Sequence, residues 1–334
     1  MISLILPFLL ALLNFHNPKD IVVEHVYLGR INASTIADQV QTFELNKDYI
    51  NIRHMVISKD YYLISPGEEK SKGFATSITK LDKSGKLIKE IYRSKEGGII
   101  QDLAYDPSKN TLYVAHKNRI VTINLTDNSL GKEFKFDRSI LGAKIFNNKL
   151  YVASLEVLEK SKSYFLESYD PSSLKLIKLE KEMKYKAENN SSFYTSRHPS
   201  LSTHDNNLLI SMGEVNEIYS SFDGFKEPII NFKNIYKNRP ADGKIIFSLR
   251  QGMVGKFATT GFSYRNNWYV YFYDLKDNKQ YLSKTGESSG FYDDINNSGY
   301  LTPLFTNSNE YMFSYKRTSL NDPKISVILF KIKS

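Results

Sequence analysis

The chain contains no cysteine among its 334 residues. This absence excludes a disulfide framework, catalysis by a thiolate, zinc held by cysteine ligands and lipid attachment to an N-terminal cysteine. It does not identify a compartment, because exported proteins can also lack cysteine. A chain of this length buries roughly three quarters of its unfolded surface, so a stable core needs neither a disulfide nor a metal ion.

Motifs of nucleotide and hydrolytic chemistry are also missing. The sequence has no Gly-x-Ser-x-Gly elbow, no P-loop and no dinucleotide fingerprint, and its six histidines never occur at the spacing of a zinc-binding helix. The net charge is +9, but no run of five basic residues occurs. Dispersed lysine is typical of solvated turns and outer strands. We therefore expect no cofactor, no resident metal and no nucleic-acid partner.

The N-terminal residues 1–13 form the longest apolar run. The run is too short to span a bilayer as a helix, which takes about 20 residues. It has the length of a signal-peptide core, although no basic residue precedes it and no small-x-small cleavage site follows. We expect residues 1–19 to be a signal peptide or an apolar leader, and the protein to be exported to the periplasm, the cell envelope or the outside. No other segment predicts a transmembrane span, and residues 20–334 are expected to form one domain.

The remaining sequence is rich in strand-forming residues, including 23 Tyr and 20 Phe. Five times, a short apolar stretch runs into an Asp or Asn, makes a polar turn and leaves as a second strand-like stretch. A hairpin that recurs about every 40–50 residues is typical of propeller blades. The turn residues lie 42 to 53 positions apart and are Asp82, Asn124, Asp170, Asp223 and Asp274.

Together these hairpins predict an all-β fold, a six-bladed β-propeller of four-stranded antiparallel blades. The last unit has only three clear strands. Since a propeller must close its ring or expose a hydrogen-bonding edge, we expect an N-terminal strand near residues 22–31 to pair with the last blade. The six units are expected near residues 51–94, 99–137, 139–183, 197–234, 250–287 and 293–332.

Two segments resemble known propeller families. Residues 101–125 resemble an NHL-type blade in their Asn-containing turn, the Leu-Tyr-Val-Ala strand at 112–115 and the Asn-Arg-Ile at 118–120. Residues 290–303 look like the closing segment of a bacterial six-bladed family with the TolB-like fold. This resemblance implies an exported or envelope-associated propeller, and it brings no catalytic residues, because most members of that family have no assigned function.

Propellers bind ligands at one end of the central channel, near the start of each inner strand. The polar residues expected there would form a mixed-charge pocket, or they could be ordinary channel-lining groups satisfied by water or by neighbouring strands. Asp293 belongs to the same set, and Lys256 is a weaker member of it. The ligand-binding candidates are Arg53, His54, Asp102, Arg197, His198 and Asp294.

The function predicted from these features is a monomeric, non-enzymatic binding or scaffold module for a protein or glycan fragment. One alternative is a metal-dependent lactonase or esterase of the six-bladed class, in which Asp102, Asp293 and Asp294 would converge on a cation. A second alternative is an RNA-binding NHL-type propeller, which would need clustered basic residues with exposed aromatic side chains. The aromatic run at 268–273 instead follows a strand pattern.

Overall fold

A computed structural model describes most of the chain after the apolar N-terminal run. The described residues are 18–23, 30–47, 49–95, 98–159, 161–186, 199–212, 215–234, 251–264, 267–285, 291–317 and 324–334.

The described chain begins with a segment that runs along the outside of the molecule before the blades follow in order. It contains three strands and a four-residue helix, the one α-helix in the described part of the chain. These elements are β1 (Lys19–Val23), β2 (Ile31–Asn32), α1 (Ala33–Ile36) and β3 (Ala37–Asn46).

The first three blades are regular four-stranded antiparallel sheets, numbered from the inner strand outward. Blade 1 contains β4 (Tyr49–Ile57), β5 (Tyr62–Glu68), β6 (Ser77–Leu81) and β7 (Leu87–Arg93). Blade 2 contains β8 (Ile100–Asp106), β9 (Thr111–His116), β10 (Arg119–Asn124) and β11 (Leu130–Lys135). Blade 3 contains β12 (Ser139–Phe146), β13 (Lys149–Leu158), β14 (Ser161–Tyr169) and β15 (Leu176–Lys186).

The next two blades follow the same order. Blade 4 contains β16 (Ser200–His204), β17 (Asn207–Ser211), β18 (Glu217–Ser220) and β19 (Pro228–Asn234), and β1 adds a fifth strand. Blade 5 contains β20 (Gly252–Val254), β21 (Phe257–Tyr264), β22 (Asn267–Asp274) and β23 (Gln280–Lys284).

The last part of the chain forms two sheets. Blade 6 has three strands, β24 (Phe291–Asp293), β25 (Gly299–Leu301) and β2. Blade 7 contains β26 (Leu304–Phe305), β27 (Tyr311–Arg317), β28 (Lys324–Ile332) and β3 as its fourth strand.

The blade count predicted from the sequence is wrong, because the fold is a propeller of seven blades. The unit predicted at 293–332 divides into blade 6 and blade 7. The short strands of blade 6 meet at Asp293, whose Oδ1 accepts hydrogen bonds from the backbone N–H groups of Ile295 and Asn296. Strands of three residues give too short a pattern to be recognised in the sequence.

The five repeated turn residues lie where the predicted blades require them, between the third and fourth strands of blades 1 to 5. At Asp82 and Asp170 the carboxylate caps the turn by accepting backbone N–H groups two to four residues ahead. For example, Asp170 Oδ1 accepts from Ser173 N at 2.7 Å. These side chains therefore hold turns on the rim and do not converge on one ligand.

The strand expected near residues 22–31 does not pair with the last blade. Its first described part, β1, pairs in parallel with β19 of blade 4, and its last residue, Ile31, begins β2, which pairs in parallel with β24 of blade 6. Residues 24–29 lie outside the described residues. The strand that pairs with β28 is β3, in an antiparallel ladder that runs from Asn46 opposite Lys324 to Ala37 opposite Ile332.

We name residues 18–23 and 30–46 the N-terminal belt, because they lie on the outer edges of consecutive blades. The belt also contacts blade 5 at the first residue of β1, where Lys19 Nζ donates to Asn278 Oδ1 at 2.8 Å. The Lys19 ammonium also lies 4.9 Å from the centre of the Tyr273 ring.

The hydrophobic core is divided among the spaces between neighbouring blades. Between blades 1 and 2, for example, fully buried Leu63 and Ile78 pack against Leu112 and Val114. This arrangement leaves the inner strands to line a central channel. None of the helices in the described part of the chain has the length and apolar character needed to span a bilayer.

Candidate functional site

The central channel contains two cavities of very different size. The upper cavity, of about 570 Å³, lies at the starts of the inner strands and is lined by residues 52–54, 99–101 and 302–305, among others. The lower cavity, of about 50 Å³, lies further along the same strands. The cavities share His54, Pro199 and Phe305, which narrow the channel between them.

Three adjacent inner strands carry a β-bulge beside the upper cavity. In each of β4, β8 and β12 the pairing register shifts by one residue. A bulge inserts one residue into a strand and redirects its side chain, and bulges are common next to binding sites. The inserted residues at these shifts are Arg53, Gln101 and Leu141, and all three line the upper cavity. A second shift in β4, at Ile50, lies away from the described lining of the cavity.

Arg53 is exposed at the upper cavity and is oriented by a turn between β5 and β6. Its Nε donates to the carbonyl oxygen of Gly73 at 3.2 Å, and Asn51 Nδ2 donates to the same oxygen at 3.0 Å. The turn packs closely enough that a Cβ on Gly67 would lie 2.2 Å from that carbonyl oxygen. The turn can therefore hold the Arg53 side chain in this position only if residue 67 is a glycine.

The upper cavity is apolar with one strong positive charge. Arg53 is the one arginine or lysine among its described lining residues, and no carboxylate is among them. Burial raises the pKa of the lining Tyr315. The positive charge of Arg53 acts in the opposite direction, so the guanidinium interacts electrostatically with the Tyr315 hydroxyl. Other lining side chains include Ile52, Phe74 and Met312. This combination suits a ligand with an apolar body and an anionic group.

The lower cavity contains the acidic candidate and a lysine. Asp102 Oδ1 accepts from the N–H of Leu103 at 2.9 Å, and its Oδ2 accepts from the N–H of Ala143 at 3.1 Å. His54 Nδ1 lies 3.8 Å from Asp102 Oδ1. Lys144 is partly buried, and burial lowers its pKa to about 8, although the Asp102 charge opposes this shift.

These polar groups connect four blades around the lower cavity. Lys144 of blade 3 donates from Nζ to the carbonyl oxygen of Asn307 in blade 7 at 2.5 Å. The Asn307 side chain accepts from the N–H of Ile57 in blade 1 at 2.7 Å. His54 and Asp102 connect blades 1 and 2, and the bond from Asp102 to Ala143 connects blades 2 and 3. We call this set the interblade network; its polar side chains line the lower cavity, below the upper one.

The structure brings three of the six candidate residues together. Arg53 and His54 line the upper cavity, while His54 and Asp102 line the lower one. Asp294 is not brought to either cavity, because it follows β24 and its carboxylate accepts from the N–H of Ser34 at 2.9 Å and from the Ser34 hydroxyl at 2.5 Å. The remaining two candidates, at 197 and 198, lie outside the described residues.

The channel also contains polar residues that the sequence pattern does not predict as candidates, Gln101 and Lys144 among them. Gln101 and Lys144 line the upper and lower cavities, respectively. Gln101 directly precedes the candidate Asp102, and this position at the start of an inner strand is a signal that could have identified it. The bulge that turns its side chain toward the channel has no signature in the sequence. Lys256, a weaker candidate, pairs instead with Asp274 on the outer turn of blade 5, at 2.8 Å.

The carboxylates proposed for a metal-dependent hydrolase do not converge. Asp102 lies in the lower cavity, whereas Asp293 caps a turn and Asp294 binds Ser34. Within the described ranges, no group of three or more His, Asp or Glu side chains has an arrangement that could hold a metal ion.

Comparison with known proteins supports the fold. The chain is similar to a solved protein from Bacteroides fragilis NCTC 9343 whose name describes it as exported, with a TM-score of 0.65, 14% identity, and coverage of 95% of this chain and 100% of that chain. At this identity the similarity shows a shared β-propeller fold.

Other solved propellers are more distant. BamB from Moraxella catarrhalis matches with a TM-score of 0.46 and 10% identity over 88% of this chain and 100% of that one. The WD40 domain of Pan2 from Neurospora crassa has a TM-score of 0.46 and 10% identity over 85% and 77% of the two chains. No protein-family model and no curated protein matches the sequence.

Proposed function

We propose that the protein is an exported, non-enzymatic binding module whose ligand occupies the upper cavity. The observation that carries this proposal is the apolar cavity of about 570 Å³ at the starts of the inner strands, with Arg53 at its wall. Ligand sites typically have volumes of about 300–1,000 Å³, apolar walls and a few polar groups that orient the ligand. Export is supported by the apolar N-terminal run and by the fold shared with a protein named as exported.

The lining favours a segment of a protein over a glycan as the ligand. A sugar entering this cavity would bury hydroxyl groups against side chains such as Ile52, Ile99 and Leu304, which offer no hydrogen bonds. Leaving buried polar groups unpaired costs about 1–3 kcal/mol each. Apolar side chains of a protein ligand would instead gain about 25 cal/mol per Å² of surface removed from water.

The polar residues have different proposed roles. Arg53 and His54 would contact the ligand, whereas Asp102 would support them from below through the interblade network. Arg197 and His198 remain candidates because they immediately precede Pro199, which lines both cavities.

The proposal is tested with an anionic aromatic probe, 8-anilinonaphthalene-1-sulfonate, titrated calorimetrically. We expect saturable binding at one site in the wild type. Thr302→Trp, at an exposed position of the cavity wall, should weaken binding at least tenfold by filling the cavity. Leu130→Trp is the matched control, since Leu130 is 60% exposed on the outer strand of blade 2. Equal affinity in both variants would show that the probe does not use the upper cavity.

A further inference from the structure

We propose that the upper cavity captures the C-terminal end of a partner protein, with the terminal carboxylate at Arg53 and the last apolar side chain among the cavity walls. This inference rests on the proposed function of the cavity as a ligand site. It adds the chemical identity of the group that is recognised and the direction in which the ligand enters.

The charge of the upper cavity favours an anionic ligand group. The described lining residues of the upper cavity supply the Arg53 guanidinium and no carboxylate. An anionic ligand group is therefore favoured and an N-terminal amine is disfavoured. The bond to Gly73 uses Arg53 Nε, which leaves the two terminal amino groups of the guanidinium for a ligand. Paired N–H groups of arginine match the two oxygens of a carboxylate, and such charge-assisted bonds are the strong ones.

Two of the bulges place complementary polar side chains at the upper cavity. Arg53 and Gln101 are both inserted residues, in neighbouring strands β4 and β8, and both line the same cavity. Arginine offers only donors, whereas the glutamine amide offers donors and an acceptor. The pair can therefore bind a carboxylate together with the N–H of the peptide group that precedes it, which is the chemistry of a chain end.

The shape of the channel favours a chain end over an internal segment. Below the upper cavity, the channel narrows at His54, Pro199 and Phe305 to a space of about 50 Å³. The interblade network crosses that space, with Lys144 of blade 3 bonded to Asn307 of blade 7. An internal peptide segment would have to enter and leave through the same mouth, whereas a chain end needs only to enter.

The test uses two forms of one N-acetylated pentapeptide that ends in Leu-Phe, with a free C-terminal carboxylate or a C-terminal amide. We expect the free acid to bind wild-type protein at least tenfold more tightly than the amide. Arg53→Gln should abolish this preference, and Arg53→Lys should restore part of it, since lysine keeps the charge but not the paired donors. Arg30→Gln is the control, because it removes an equal charge from an arginine that lies on the Tyr292 ring, 4.3 Å from its centre. Circular dichroism melting of each variant establishes that it is folded.

The outcomes separate this inference from the proposed function. If acid and amide bind equally and Thr302→Trp weakens both, the cavity is a binding site but carboxylate recognition is wrong. If decanoate binds more tightly than the free-acid peptide at the same site, the occupant is a small amphiphile and the chain-end proposal is overturned. If 8-anilinonaphthalene-1-sulfonate binds the cavity and neither peptide does, the cavity is retained and the peptide ligand is rejected. If neither peptide, decanoate nor the probe binds, both proposals fail.

Discussion

At the scale of single residues, a polar side chain in the channel can either bind a ligand or support the structure around the ligand site. Asp102 was predicted as a ligand-binding residue, and it does lie in the channel. Both of its carboxylate oxygens, however, accept backbone hydrogen bonds, one of them from Ala143 in the next blade. Buried acceptors usually have such partners. We therefore propose a supporting role for Asp102 and ligand contact at Arg53.

Lys144 leads to a prediction about pH. Its pKa is about 8 in the folded protein, against an ordinary value of 10.5, because burial disfavours the charged amine. Below pH 8 the amine is protonated in both the folded and unfolded states. Between pH 8 and 10.5 the folded protein releases this proton while the unfolded chain keeps it, so this group makes the free energy of unfolding rise with pH.

Urea unfolding at pH 7, 8, 9 and 10 gives the free energy of unfolding of the wild type and of Lys144→Met. The effect is the wild-type value minus the Lys144→Met value at each pH. We expect the difference to increase by about 1–3 kcal/mol over the series, since one pKa unit corresponds to about 1.4 kcal/mol. Taking a difference cancels the opposite trend of buried tyrosines such as Tyr61, whose pKa burial raises to about 12. The exposed Lys226→Met is the control. A difference that is constant with pH would contradict the assignment.

At the scale of secondary-structure elements, the upper cavity depends on how the turn between β5 and β6 packs. A Cβ at position 67 would lie 2.2 Å from the Gly73 carbonyl oxygen that orients Arg53, and 2.6 Å from Asn51 Oδ1. Gly67→Ala should therefore move the turn, lower stability by about 1–3 kcal/mol and weaken binding of the free-acid peptide at least tenfold. Calorimetric titration and thermal melting measure the two effects.

Gly224→Ala provides a matched control for this substitution. Gly224 has a φ of +73° on the outer turn of blade 4, and a Cβ there would meet nothing within 4 Å. The variant therefore carries backbone strain of about 1 kcal/mol without a clash near the channel. It should melt earlier than wild type and bind the peptide normally. Normal peptide affinity in Gly67→Ala would show that Arg53 does not need this turn.

The hairpins that carry a capped turn and alternating strands could be predicted from the sequence. The β-bulges, which depend on how two strands pair, could not. The hairpins that turn at Asp82, Asn124, Asp170, Asp223 and Asp274 located the first five blades, because side-chain capping and strand alternation are local properties. A bulge depends on how two strands pair, so the turning of Arg53 toward the channel has no local signature. The three-residue strands of blade 6 are too short to count as a separate blade in the sequence.

At the scale of the whole molecule, the N-terminal belt joins blades that are distant in sequence from it. It pairs with blade 4 through β1, with blade 6 through β2 and with blade 7 through β3, and it contacts blade 5 through Lys19. The two ends of the belt should nevertheless differ in importance. β1 adds a fifth strand to a blade that already has four, whereas β3 is the fourth strand of blade 7.

Two truncated variants test this difference. Removing residues 1–23 takes away the side chains of Ile21 and Val23, which are each 1% exposed, and opens the space that they fill. The free energy of unfolding should fall by about 1.5–3 kcal/mol per side chain, and the thermal transition should remain cooperative. Removing residues 1–46 also takes away β2, α1 and β3, including buried Phe43 and Leu45 of β3, and leaves the outer edge of β28 unpaired. An unpaired edge of this length promotes association between chains. We expect the longer truncation to lose its cooperative transition in calorimetry and to aggregate in light scattering. A monomeric protein that lacks residues 1–46 and melts like the shorter truncation would show that blade 7 does not need β3.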